Sequence, residues 1–146
     1  MSNRSCAANL EILGYRVVIS REIQDPSWDA FVSGNPSGQF EQTSAWAHAK
    51  SVNRWRPLRL SLFSNGNIVG GAQILYRNVL FFGKIAYISK GPVVTPGLTS
   101  EITRRILGEL THLVKKERIL YLVVQLADNS HFLEDWLLDA GFHVDS

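Results

Sequence analysis

The chain has 146 residues, which against a typical domain of about 100 to 200 leaves room for one compact core and not for two. With 45% apolar and 19% charged residues it is too apolar for a disordered chain, and a net charge of +2 lacks the basic excess that makes nucleic acid the default partner. The charge is uneven, however: residues 1–119 carry all 15 basic side chains against 8 acidic ones, while residues 120–146 carry 5 acidic and no basic ones, so an anionic ligand is expected to meet the earlier part.

Residues 1–14 show no sustained periodicity and read as a lead-in to a single domain over 15–146. Tyr15 to Ile19, rich in β-branched residues, predicts a strand, and Asp25-Pro26-Ser27-Trp28 opens a short helix with Trp28, Phe31 and Val32 on one side. Gly34-Asn35-Pro36-Ser37-Gly38 stops it. Thr43 or Ser44 can cap a second helix, in which Lys50 falls four residues after Trp46 and projects beside it. Leu58, Leu60 and Leu62 alternate with Arg59, Ser61 and Phe63, and Asn65-Gly66 supplies a hairpin turn into a strand over Ile68 to Tyr76. Gly70-Gly71 within that strand predicts a bulge or a close backbone approach. A shorter strand is expected around Val79 to Phe82, followed by another over Ile85 to Ser89.

Beyond Gly91-Pro92 and Pro96-Gly97, the residues Ile102, Ile106, Leu107, Leu110, Leu113 and Val114 form an amphipathic helical stripe. Ile119 to Leu126 is almost continuously apolar, as expected of a strand covered on both faces, and the intervening helix requires it to pair parallel to the strand before that helix. Phe132, Leu133, Trp136, Leu137 and Ala140 make a last helix closed by Gly141, and Phe142-His143-Val144 is expected to begin a further strand. The fold class is α/β with a central mixed sheet flanked by helices, an order that resembles the GNAT acyltransferases.

Several chemistries lack their usual support. No Walker loop, dinucleotide-binding glycine motif, zinc-protease motif or serine-hydrolase elbow occurs. The single cysteine, Cys6, excludes an intrachain disulfide and a multi-thiolate site, and the four histidines lack metal-ligand spacing, so no metal is expected. No apolar stretch approaches the roughly 18 to 20 residues that span a bilayer, and the N-terminus lacks a signal peptide's apolar run, so the chain reads as cytoplasmic. At Gly91 to Ser100, where a CoA-dependent GNAT enzyme carries a glycine-rich pyrophosphate loop, Pro92 and Pro96 remove two backbone donors. No cofactor is therefore expected.

The stretch Asn35 to Lys50, with Gly38, Phe40, Gln42, Trp46 and Lys50 followed by Trp55, resembles the opening signature of the FemAB family, the aminoacyltransferases that extend peptidoglycan precursors from aminoacyl-tRNA. Ile68-Val69-Gly70-Gly71-Ala72, then Tyr87-Ile88-Ser89-Lys90-Gly91-Pro92-Val93, and finally Leu137-Leu138-Asp139-Ala140-Gly141-Phe142 are similar to further family segments in the same order. Family members generally carry two tandem GNAT-like subdomains, and this chain resembles the first.

The resemblance implies a peptidoglycan precursor as partner, either a UDP-muramyl peptide or its lipid-linked form at the inner face of the membrane. It further implies aminoacyl-tRNA as donor, and a second GNAT-like domain or a homo-oligomer to complete the enzyme. The rival readings are a GNAT-type acyl-CoA N-acyltransferase and a non-catalytic precursor-binding domain. As binding residues the resemblance implies Lys50 and Lys90 for phosphate or carboxylate, Trp46 and Tyr87 for flat contacts, and Gln42 for a hydrogen bond. Each has a plainer alternative: Lys50 as a solvated helix lysine, Trp46 as core, Gln42 as a helix cap. The family's usual Asp-Pro is replaced by Asp128-Asn129, and no general base can be named.

Overall fold

Alternating apolar positions decide the centre of the fold. In the computed structural model, which describes residues 14–97 and 99–144, the hairpin expected at Asn65-Gly66 joins β1's neighbour β2 to a long β3, with β1 at Arg16–Ser20, β2 at Arg56–Ser64 and β3 at Asn67–Val79. Asn65 and Gly66 take φ of +51° and +80°, the left-handed conformation that tight hairpin turns demand. β4 (Gly83–Ser89) pairs antiparallel with β3, and the short β5 (Val93–Val94) pairs with β3 at Gly70 and Gly71. After α3 (Thr99–Lys116), β6 (Ile119–Gln125) pairs parallel with β4, so the sheet runs β1-β2-β3-β4-β6 with β5 beside β3. The expected lead-in, with Cys6, lies outside the described residues except for Gly14.

Leu58, Leu60, Leu62, Ala72, Ile74, Ala86 and Ile88 share one face of the sheet by the two-residue period and are buried. Against them α3 sets Ile102, Ile106, Leu107, Leu110 and Leu113, and α4 (Leu133–Asp139) adds Leu133 and Leu137. Each large side chain so buried contributes about 1.5 to 3 kcal/mol, which makes this layer the main source of stability. The paired glycines permit it. A Cβ on Gly70 would lie 2.4 Å from Ile102 Cγ2, and one on Gly71 would lie 2.1 Å from the Leu60 carbonyl and 2.8 Å from Trp28. A register shift between Leu62 and Phe63, where Gly70 and Ile68 are successive partners, is the bulge expected there.

The opposite face carries a second layer. α1 (Pro26–Ser33) starts at Asp25, whose carboxylate accepts from the Trp28 amide at 3.1 Å, and α2 (Ser44–Lys50) starts at Thr43, whose hydroxyl accepts from the Trp46 amide at 3.3 Å. Asp29 ties the two helices together by accepting from the Ser44 amide at 2.8 Å and from its hydroxyl. Arg59 is consequently buried rather than solvated. Its Nε donates to Gln73 Oε1 at 2.8 Å and its guanidinium also bonds the Glu22 and Ile23 carbonyls, with Asp25 3.9 Å away. Burial lowers the Arg59 pKa, and Asp25 and Asp29 oppose that shift.

Three expectations are corrected. Leu80, Phe81 and Phe82 form the turn between β3 and β4 rather than a strand, because β3 runs unbroken to Val79 and its pairing with Gly83 leaves three residues for the reversal. β6 is an edge strand and not covered on both faces: it pairs with β4 alone among the described residues, Leu122 and Val124 pack against the core, and Leu120, Tyr121 and Val123 are exposed. Phe142–Val144 form no strand; Gly141 takes φ +98° and the Phe142 amide folds back onto the Leu137 carbonyl at 3.0 Å, closing α4.

Candidate functional site

α2 lies over the sheet face that carries Tyr87, and its Trp46 and Lys50 are one helical turn apart. The Lys50 ammonium sits 4.5 Å from the centre of the Trp46 ring, the cation–aromatic pair expected from their spacing. Phe40 packs edge-on to Trp46 at 6.0 Å. Burial raises the Tyr87 pKa, and the Trp46 indole N–H partly offsets this by favouring the phenolate. That N–H is buried and reaches no acceptor in full hydrogen-bond geometry, so its influence on Tyr87 is that of a nearby dipole.

Tyr87 in turn meets Trp55 edge to face at 4.8 Å, and the Arg77 guanidinium lies 5.5 Å from the Trp55 ring centre. Trp55 and Arg77 also form one wall of a cleft of about 910 Å³, whose other basic residues are Arg21, Arg54 and Arg56 and whose floor includes Tyr76. Strand pairing contributes Arg56 opposite Tyr76 across β2 and β3, while Arg77 joins from the other face of β3, where it lies against Trp55. Arg21 is paired with Glu117. Arg54, Arg56 and Arg77 have no acidic partner among the described residues, so the cleft holds uncompensated positive charge.

Sequence reasoning singled out Trp55 but missed these arginines. The signal available was Arg54-Trp55-Arg56 itself; Arg21 and Arg77 join it only through strand register.

The other expected residues lie elsewhere. Lys90, at φ +57° just past β4, places its ammonium 3.3 Å from Asp128, outside the arginine cleft. Gln42 is wholly buried, and the helix cap expected of it is supplied by Thr43 instead. Its amide nitrogen donates to the Ser89 carbonyl at 2.7 Å and the Gln73 carbonyl at 3.3 Å, while its oxygen accepts from the Gln73 amide at 2.7 Å. It thereby bridges β3 and β4 where their direct pairing has ended. A Cβ on Gly91 would lie 2.8 Å from that amide, so the chain closes tightly around it.

This arrangement bears on acyl-CoA, the co-substrate that a GNAT-type fold implies. The loop after β4 offers prolines at 92 and 96 where amide donors are needed. These residues do not fit a pyrophosphate cradle. No group of His, Cys, Asp or Glu that could hold a metal ion occurs among the described residues. What the site can do is bind and orient: arginine forks match paired oxygens of phosphate or carboxylate, and Lys50 adds a mobile point charge beside flat aromatic surfaces.

Comparison with known proteins bears on the family and the fold. The sequence model of the FemAB family matches residues 23–130. The Lipid II:glycine glycyltransferase of Staphylococcus aureus (strain MRSA252) is 32% identical over 97 residues, covering 66% of this chain and 23% of the relative. The chain thus spans about a quarter of the length of the curated relatives it matches. The crystal structure of FemX superposes with a TM-score of 0.68 at 25% identity, covering 88% of this chain and 32% of FemX. A ribosomal-protein-alanine N-acetyltransferase from Brucella melitensis biovar Abortus 2308 superposes with a TM-score of 0.65 at 11% identity, over 90% of this chain and 94% of its own, which establishes the acetyltransferase-like fold. The chain belongs to the FemAB family.

Proposed function

We propose that residues 15–146 form the precursor-binding GNAT-like unit of a FemAB-type aminoacyltransferase acting in peptidoglycan synthesis. The observation that carries this reading is the joining of Lys50, Trp46 and Tyr87 to a cleft in which Arg54, Arg56 and Arg77 are unmatched by acid among the described residues, in a chain of this family. A diphosphate-linked muramyl peptide offers what such a surface selects: two adjacent phosphates for the arginine forks, and sugar and peptide faces for the aromatic wall.

In the reaction, an amine nitrogen of the bound precursor attacks the carbonyl carbon of an aminoacyl ester on tRNA. The new amide bond forms, the ester C–O bond breaks, and the proton lost by the amine ends on the departing ribose hydroxyl. Holding the amine in line accounts for much of the acceleration of such a step, and this unit contributes that positioning. A second GNAT-like unit, in the same chain or in another copy, contributes the donor side. On this reading the unit works at the inner face of the membrane, where a lipid-linked precursor is presented. No helix among the described residues is long and apolar enough to cross the bilayer.

The test is calorimetric titration with a UDP-muramyl pentapeptide. Loss of one charge-assisted contact costs about 1.5 to 3 kcal/mol, so Lys50→Ala weakens binding roughly ten- to a hundredfold. Equal binding by wild type and variant makes Lys50 a solvated helix lysine and removes it from the site.

A further inference from the structure

We infer that the β3–β4 turn is a membrane-docking tip that seats the protein on an anionic lipid surface. All three of its residues are large and apolar, and they are almost fully exposed: Leu80 at 80%, Phe81 at 98% and Phe82 at 72%. The β2–β3 turn of the same sheet shows the ordinary solution, Asn65-Gly66. Leu80 even holds φ +48°, a conformation that favours glycine or asparagine, so the tip keeps a large apolar side chain where the backbone disfavours one. Nothing within the described fold covers these side chains. Leu120, 60% exposed, adjoins them across Gly83, whose Cβ would lie 3.0 Å from Leu120 Cγ.

Charge identifies the occupant. α3 ends at Lys116, two residues before Arg118, whose carbonyl accepts from the Lys84 amide at 3.0 Å, and Lys115, Lys116 and Arg118 are all exposed at this end. The one acid in this stretch, Glu117, is held by Arg21 and Lys84. An exposed apolar point with cations on the adjoining surface suits insertion between anionic headgroups, which needs no matching pocket, better than docking into a protein.

The placement also fits the cleft. Arg77 and Asn78 line it and lie two to three residues before Leu80, about 7 to 10 Å along an extended strand. That matches the roughly 5 to 8 Å of headgroup layer on each side of the hydrocarbon, so an inserted tip holds the arginines at phosphate depth. The consequence that the acceptor is taken in its lipid-linked form rests on the precursor reading; lipid binding itself does not.

The test is co-sedimentation of the chain with vesicles of phosphatidylcholine alone and of phosphatidylcholine with about a third phosphatidylglycerol. Binding is expected to the mixed vesicles, weakening with salt, and to fall about tenfold or more in Phe81→Ser/Phe82→Ser. Lys115→Ala/Lys116→Ala, which leaves the tip intact, is expected to lose about tenfold as well. Absence of binding, or binding unchanged in both double variants, overturns the inference. So does sedimentation velocity showing a wild-type dimer that Phe81→Ser/Phe82→Ser converts to monomer without any vesicle binding. Titration with the water-soluble UDP-muramyl pentapeptide separates the two proposals: the tip variant is expected to bind it like wild type, and its failure to bind even wild type removes the cleft reading while leaving lipid docking standing.

Discussion

Replacing Gln42 distinguishes a strand-bridging residue from a ligand contact. Gln42→Ala removes three hydrogen bonds and leaves the Gln73 amide, fully inside, without an acceptor. A buried donor stranded in this way costs about 1 to 3 kcal/mol, and the two bonds lost from the amide nitrogen about 1 kcal/mol each, so the expected destabilisation is about 3 to 5 kcal/mol. Against a total stability of about 5 to 15 kcal/mol that is a large fraction, visible in urea melts followed by far-UV circular dichroism. Gln42→Glu adds a sign. A carboxylate there would face the Gln73 and Ser89 carbonyls with no proton to offer, so the folded state favours the neutral acid and raises its pKa above the unfolded value of about 4.3. The variant is therefore closest to wild type below that unfolded value and loses stability as pH rises through the folded one. A Gln42→Ala cost below about 1 kcal/mol, or a Gln42→Glu penalty that does not grow with pH, refutes the bridging role.

Other outcomes follow from the same geometry. Tyr87 is expected to titrate above the ordinary value of 10.0 in ultraviolet difference spectra, and Trp46→Phe, which removes the N–H favouring the phenolate, is expected to move the midpoint higher still; a midpoint that falls contradicts the assigned causes. Acetyl-CoA is expected to bind more weakly than about 10 µM in calorimetry, and tighter binding shows that the loop after β4 has been misjudged. Gly71→Ala, whose Cβ would meet the Leu60 backbone carbonyl at 2.1 Å, is expected to destabilise more than Gly70→Ala, whose nearest neighbour is the Ile102 side chain; thermal melts rank the two.

What was legible in the sequence was what repeats with a fixed period. The stripe from Ile102 to Val114 carries its own phase, and the four-residue step from Trp46 to Lys50 needs only a helix to bring them together. β6 misled because a continuous apolar run reads the same whether both faces are packed or one is left open. Leu80-Phe81-Phe82 misled because aromatic and aliphatic residues imply a strand, while the partner register of β3 and β4 made them a turn. Arg59 and Gln42 hid for another reason: polar residues at alternate or loop positions predict solvent unless the second helical layer is already known. The arginine cleft joins residues from Arg21 to Arg77, and no local pattern connects them.

The central claim is that this cleft recognises the paired phosphates of a peptidoglycan precursor. It is tested most directly by calorimetric titration of the chain with two soluble ligands, a UDP-muramyl pentapeptide and the same muramyl pentapeptide without its nucleoside diphosphate, in wild type and in Arg54→Ala/Arg77→Ala. The account predicts that wild type prefers the diphosphate form by about tenfold or more and that the double variant loses the preference while binding the diphosphate-free ligand unchanged. Equal affinity of wild type for the two ligands, or a preference that survives loss of both arginines, contradicts it.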